Sequence, residues 1–246
     1  MVSHAALPTD SPDPRDEPFI DRNVDPPFRG APLSTEPFVT LAGDGEAETR
    51  VKGSTFLALA APAEDEEAAR ARLEPVQRRH FDASHHCSAW RFRGGLWRAN
   101  DAGEPSGSAG APILAAIDGA GVTDCIVVVT RWFGGTKLGV GGLVRAYGDA
   151  AALALAAAPR RVGVPAVRLR ITYGYEHTAA AMRALERAGA AEIEHGYAGA
   201  GERGVMEFAV PAASEAALAD ALREATSGAL APERTGEAVL YRNETS

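Results

Sequence analysis

Cysteine is almost missing from this 246-residue chain, which holds only Cys87 and Cys125. Two cysteines do not build a disulfide framework, so the sequence predicts a reducing, cytoplasmic setting. Both lie in apolar, strand-like segments, where a thiol acts as a small hydrophobe. Long hydrophobic runs are lacking as well. The longest candidate, Ala150–Ala158, falls short of the roughly 18 residues that a bilayer crossing needs, so no membrane partner is expected. The N-terminus has no basic start leading into an apolar core, which argues against a secretory signal. A basic excess is also absent, since the net charge is −8. Residues 1–36 hold three Arg against seven acids, half of the deficit, and the rest of the chain is near neutral. Global charge therefore gives no support to general coating of DNA, and it does not exclude a local basic site.

What is present suggests two domains of ordinary size. Residues 1–36 contain seven of the sixteen prolines and are expected to form a disordered tail. Residues 37–158 form the first expected domain. Strands are predicted at Phe38–Leu41 and Val51–Ala60, joined by a turn at Gly43–Gly45, with a helix over Glu64–Glu74 that Pro75 ends or kinks. A strand at Ser84–Arg93, a Gly94-Gly95 turn and a short helix near Ala111–Asp118 follow. Asp124–Phe133 reads as a strand buried on both faces. The next helix places Val140, Leu143, Val144, Tyr147, Ala151 and Leu155 on one face, and Arg145 and Asp149 on another. Residues 159–166 read as a linker. Residues 167–246 then run β-α-β-β-α-β, the ferredoxin-like order. In that domain His177 and His195 stand alone and read as structural.

Three segments could carry chemistry: Asp82–Trp90, Asp101–Pro112 and Arg131–Tyr147. The second mixes Asp101, Glu104, Ser106 and Ser108 with glycines. In the third, Arg131 and Lys137 flank a glycine loop (Gly134, Gly135, Gly139, Gly141, Gly142) that opens a helix, the physics of an anion site. The structural alternative is that the glycines only permit a reversal and Arg145 only pairs with Asp149. Named motifs fail. Thr136-Lys137-Leu138 does not fit the Walker pattern, and Gly139-Val140-Gly141 is followed by Val144 where the dinucleotide pattern needs glycine or alanine. Gly107-Ser108-Ala109-Gly110 is one residue short of a nucleophile elbow. His85, His86 and Cys87 are consecutive and no second ligand pair follows, so neither a metal nor another cofactor is expected.

Gly103-Glu104-Pro105-Ser106-Gly107 with Ala109-Gly110, followed by the long motif from Arg131 to Tyr147, strongly resembles the IMPACT family, including its bacterial YigZ-type members. The resemblance covers roughly residues 38–158. It implies a first domain like ribosomal protein S5 domain 2, followed by a ferredoxin-like domain. It also implies an association with translation, ribosomes or RNA, because eukaryotic members restrain a stress kinase that shuts down initiation. His85, Cys87, Asp101, Glu104, Ser106, Arg131, Lys137 and Arg145 match the family pattern in type. Ala102 stands where the family usually has a second Asp, which weakens any carboxylate-pair mechanism. His86 and Ser88 replace Asn and Tyr, and Trp132 replaces Tyr while keeping a ring that can stack.

The leading expectation is a binding protein without catalysis that contacts RNA, the ribosome or a translation factor. Its surface would consist of Arg131, Trp132, Lys137, Arg145 and the loop glycines 134, 135, 139, 141 and 142. The alternative is a hydrolase, or other enzyme, acting on a phosphorylated small molecule or nucleotide. There His85 would act with Asp101 or Glu104, and Ser106 is a further candidate. A protein-docking module is the third reading.

Overall fold

The computed structural model describes residues 36–244, so the expected tail lies outside the described residues apart from Glu36. In chain order the elements begin β1 (Phe38–Leu41), β2 (Gly45–Val51), β3 (Ser54–Pro62), α1 (Glu66–Arg79), β4 (His85–Arg91), β5 (Trp97–Asn100), α2 (Gly110–Ala120), β6 (Cys125–Trp132) and α3 (Val140–Ala157). They continue β7 (Arg160–Tyr173), α4 (Thr178–Ala188), β8 (Ala191–Ala198), β9 (Arg203–Pro211), α5 (Glu215–Ala225) and β10 (Glu233–Asn243). The strands make two five-stranded antiparallel sheets, so the protein is α+β.

The first sheet has the order β2-β3-β6-β4-β5. Its central strand β6 explains the unbroken apolar run, because both of its faces are covered. Cys125, Val127 and Val129 enter one core with Ile113, Ile117, Tyr147 and Leu155 of α2 and α3. Ile126 and Val128 enter another with Ala69, Trp90 and Phe92, beside α1. The two edge strands escaped the sequence reading. β2 carries Glu46, Glu48 and Arg50, and β5 is only four residues long. The expected single strand Val51–Ala60 is instead a hairpin that turns at Lys52-Gly53.

Helix α1 starts at Asp65, whose carboxylate accepts the Ala68 N–H at 2.7 Å. Contrary to expectation it runs through Pro75 to Arg79. Pro75 removes one backbone bond, but the position is exposed, so water can serve the freed carbonyl. Helix α3 buries Leu143, Ala146, Tyr147, Ala150, Ala151, Ala154 and Leu155. Val140 and Val144, expected on that face, are exposed, because the stripe is uncovered at the helix's N-terminal end. By length and mean hydropathy (1.2 over 18 residues) α3 is sufficient to cross a bilayer, unlike the shorter run counted in the sequence. Its inner face packs in the first core, as expected of a core helix.

The second sheet places β10, β7, β9 and β8 side by side, and β1 also pairs with β7. Val167, Leu169, Ile171 and Phe208 meet Leu185 of α4 and Leu222 of α5. The segment 159–166 is not a free linker, since β7 begins at Arg160. Its ladder with β1 covers Arg160–Gly163 and that with β9 starts at Ala166, so Pro165, which has no N–H, falls in the gap. The two sheets are tied to each other. The Thr123 N–H donates to Val39 O at 3.0 Å and the Thr40 hydroxyl to Asp124 O at 3.2 Å. The Tyr241 hydroxyl donates to Glu64 at 3.2 Å.

Candidate functional site

Strand alternation builds the floor of the site. Arg131 on β6 faces Phe56 on β3 and His85 on β4, and all three lie on the α2–α3 side of the sheet. The Arg131 side chain is only 6 % exposed. Its Nη1 donates to Glu104 Oε1 at 2.5 Å and its Nη2 to Ser54 Oγ at 3.2 Å. The Tyr147 hydroxyl donates to the same Glu104 oxygen at 2.8 Å, and His85 Nε2 lies 3.8 Å from it. The other nitrogen of His85, Nδ1, is 2.9 Å from the Ala102 carbonyl, which selects the tautomer with its proton there. Burial raises the pKa of Tyr147, and it pushes the neighbouring Cys87 thiol up to about 12. Both therefore stay protonated at neutral pH, Tyr147 as a donor and Cys87 as an inert thiol. Unpaired burial of a guanidinium would be costly, and Glu104 supplies the balancing charge.

The first glycine loop closes on itself. Asp101 accepts the backbone N–H groups of Gly107 (2.7 Å), Ala109 (2.9 Å) and Gly110 (2.8 Å). Its carboxylate therefore occupies the N-terminus of α2, where an external anion would otherwise bind. The structure brings His85 and Glu104 together. It turns the Asp101 carboxylate to the loop backbone and leaves Ser106 exposed, so these two do not form a triad with His85.

The second glycine loop is open. Gly134 packs on the β2–β3 turn so closely that a Cβ there would stand 1.9 Å from the Gly53 carbonyl carbon. The Gly134 N–H donates to Ser54 Oγ at 3.2 Å. This contact places Lys52 beside the loop. Lys52 and Arg145 line an open cleft of about 180 Å³ together with Leu138, Gly142 and Asp149. The loop ends at Gly139, whose φ of 71° suits glycine, and no side chain caps α3. Arg145 leans back toward that end, its Nη1 3.9 Å from where a Gly141 Cβ would be. Among the described residues, Lys52, Lys137 and Arg145 have no carboxylate partner. Arg145 and Asp149 do not form the ion pair that their spacing allows.

Two residues expected on this surface lie elsewhere. Arg131 is inside and neutralised by Glu104. Trp132, the next residue of the strand, points to the opposite, α1-facing side. There its Nε1 donates to Asp82 at 3.0 Å and its ring meets His80 edge-on at 5.3 Å. Two contributors escaped the sequence reading: Lys52, which lines the cleft, and Tyr147, which donates to Glu104. For Lys52 a signal existed, because Lys52 and Lys137 are the only lysines of the chain. The fold sets them in two touching turns.

Residues 52–155 match the model of the Impact N-terminal domain. An IMPACT family member of Thermus thermophilus is 51 % identical over 110 residues, 45 % of this chain and 59 % of that protein. YigZ of Escherichia coli is 45 % identical over 103 residues, 40 % of this chain and 50 % of YigZ. YvyE of Bacillus subtilis is 39 % identical over 113 residues, 45 % of this chain and 52 % of YvyE. The chain thus spans about half the length of the curated relatives it matches. A crystal structure of a hypothetical protein superimposes with a TM-score of 0.59 at 31 % identity, covering 80 % of this chain and 96 % of that one. On the family model, the named relatives and the motif from Arg131 to Tyr147, this chain belongs to the IMPACT family, with YigZ among its relatives.

Proposed function

We propose that the chain is a cytoplasmic, translation-associated binding protein that contacts the phosphates of RNA, free or on the ribosome, through the second glycine loop. The observation that carries this reading is the contrast between the two loops. Asp101 fills the first, whereas the second gathers Lys52, Lys137 and Arg145 at an uncapped helix start, with no carboxylate partner among the described residues. Such an arrangement suits a phosphate oxygen, which takes point charges and N–H donors together. The strand order β10-β7-β9-β8 under two helices supports a ferredoxin-like second domain, and with the family match it favours an S5 domain 2-like first one. In a density gradient of cell lysate, the protein is expected to travel with ribosomes at low salt. Lys137→Ala/Arg145→Ala should release it, as should high salt. Migration at the top of every gradient would remove stable ribosome binding.

A hydrolytic reading has one observation in its favour. The Ala102 carbonyl fixes the tautomer of His85 and leaves Nε2 as a free acceptor beside Glu104, as a general base requires. On that reading His85→Ala abolishes turnover of a phosphorylated small molecule and leaves its binding intact. Loss of binding without any turnover to lose would set it aside.

A further inference from the structure

We infer that Phe133 is a base-stacking platform, so that the site selects single-stranded RNA over duplex; this rests on the phosphate-contacting reading above. The argument begins with where the aromatic rings fall. The sequence offers Trp132 and Phe133 side by side, and strand alternation sends them to opposite faces. Trp132 is held by Asp82 and His80 away from the loop cations. Phe133 is on the other side, 50 % exposed, an unusual place for a phenylalanine.

The ring is exposed but anchored. Its backbone N–H donates to Ser84 Oγ at 3.1 Å. The Arg131 guanidinium lies 5.6 Å from its centre, within reach of a cation–π contact, and Arg131 itself is fixed by Glu104 and Ser54. The platform also stands beside the charges. Phe133 precedes Gly134, Lys52 precedes Gly53, and those two glycines are in backbone contact. One nucleotide can therefore lay its base on Phe133 while its neighbouring phosphates meet Lys52 and Lys137. A base inside a duplex has both faces stacked and cannot do so, which leaves only the phosphate contacts.

The test uses the full chain and a fluorescein-labelled adenylate strand of about 12 nucleotides, alone or paired with its uridylate complement, read by anisotropy at low salt. Phe133→Leu keeps an apolar side chain and removes the ring. It should weaken single-strand binding about tenfold, the worth of one stacked base, and leave duplex binding within about twofold. Phe133→Trp should restore the single-strand affinity. An unchanged melting curve for each variant secures the fold. Equal losses on both strands, no loss on either, or failure of the Trp variant to rescue would overturn the stacking role alone. Lys137→Ala/Arg145→Ala should weaken both strands and lower their salt dependence. If it changes neither, or if the wild type binds no strand, the phosphate reading falls and this inference with it. Binding to a protein component of the ribosome with no affinity for either strand would count against it in the same way.

Discussion

On the second sheet Arg168 is joined to Glu192 and Arg170 to Glu207, all four about half exposed. At the loop end of the first sheet the bookkeeping of charge differs: Arg131 is sealed beneath the surface with Glu104, while Lys52, Lys137 and Arg145 form no ion pair among the described residues. Arginines paired across an open sheet face have little left to offer a phosphate. Unpaired cations around an uncapped helix start have a great deal. This contrast is the ground on which the binding role is proposed for one end of one sheet, and a net charge of −8 is compatible with such a local basic site. Half of the acidic excess belongs to residues 1–36, and among the residues lining the cleft Asp149 is the one carboxylate.

The largest expected difference between the regions is in their ion pairs. Glu104→Ala strands a buried guanidinium and should lower unfolding free energy in urea by about 3–5 kcal/mol. Glu207→Ala breaks a half-exposed pair and should cost at most about 1 kcal/mol. Similar losses for both would mean that the Arg131–Glu104 pair is not the buried keystone its geometry indicates. Next in size is a pair of glycines. At Gly134 a Cβ meets the backbone of Gly53, so Gly134→Ala should cost about 1–3 kcal/mol and weaken RNA binding by parting the two turns. At Gly236 in β10 nothing stands within 4 Å of an added Cβ, so Gly236→Ala should leave the melting temperature and binding unchanged. Equal behaviour of the two would break the link between Lys52 and the loop.

The smallest effect is one of pH. Burial lowers the pKa of His86 from its usual 6.5, helped by the nearby His80. The unfolded chain then binds the extra proton first, so stability should fall as pH drops through 6.5 and level off below the lowered native value. His86→Gln should flatten that part of a urea-stability profile against pH. A profile unchanged by the substitution would show that His86 is not the group responsible.

Much of this was legible in the residues. The unbroken Ile126–Val129 run announced a strand covered on both faces, and the two glycine motifs carried the family resemblance. The order of elements after Tyr173 followed from periodicity and turns alone. The edge strands β2 and β5 were hidden, because an edge strand buries little and β2 is spelled with charges. Pro75 suggested a helix end, but at an exposed position the helix passes through it. The start of β7 looked like a linker because Gly163 and Pro165 punctuate it, and only the neighbouring β1 and β9 reveal that they fall at a junction of ladders. At the site, the period of two could have told that Arg131 and Trp132 face apart. That Asp101 closes the first loop, and that Lys52 arrives beside the second, are long-range facts fixed by how the loops meet.

The most direct measurement is the salt dependence of binding to a single-stranded RNA, compared between two variants of the full chain. Lys52→Ala/Lys137→Ala/Arg145→Ala removes the free cations, and Arg168→Ala/Arg170→Ala removes the paired ones. The account predicts that the first variant loses affinity and that its slope of log affinity against log salt falls by about 2, roughly 0.7 per lost phosphate contact. It predicts wild-type affinity and slope for the second. Equal slopes for both variants, or a larger loss on the second sheet, would contradict the assignment of the phosphate site to the glycine loop.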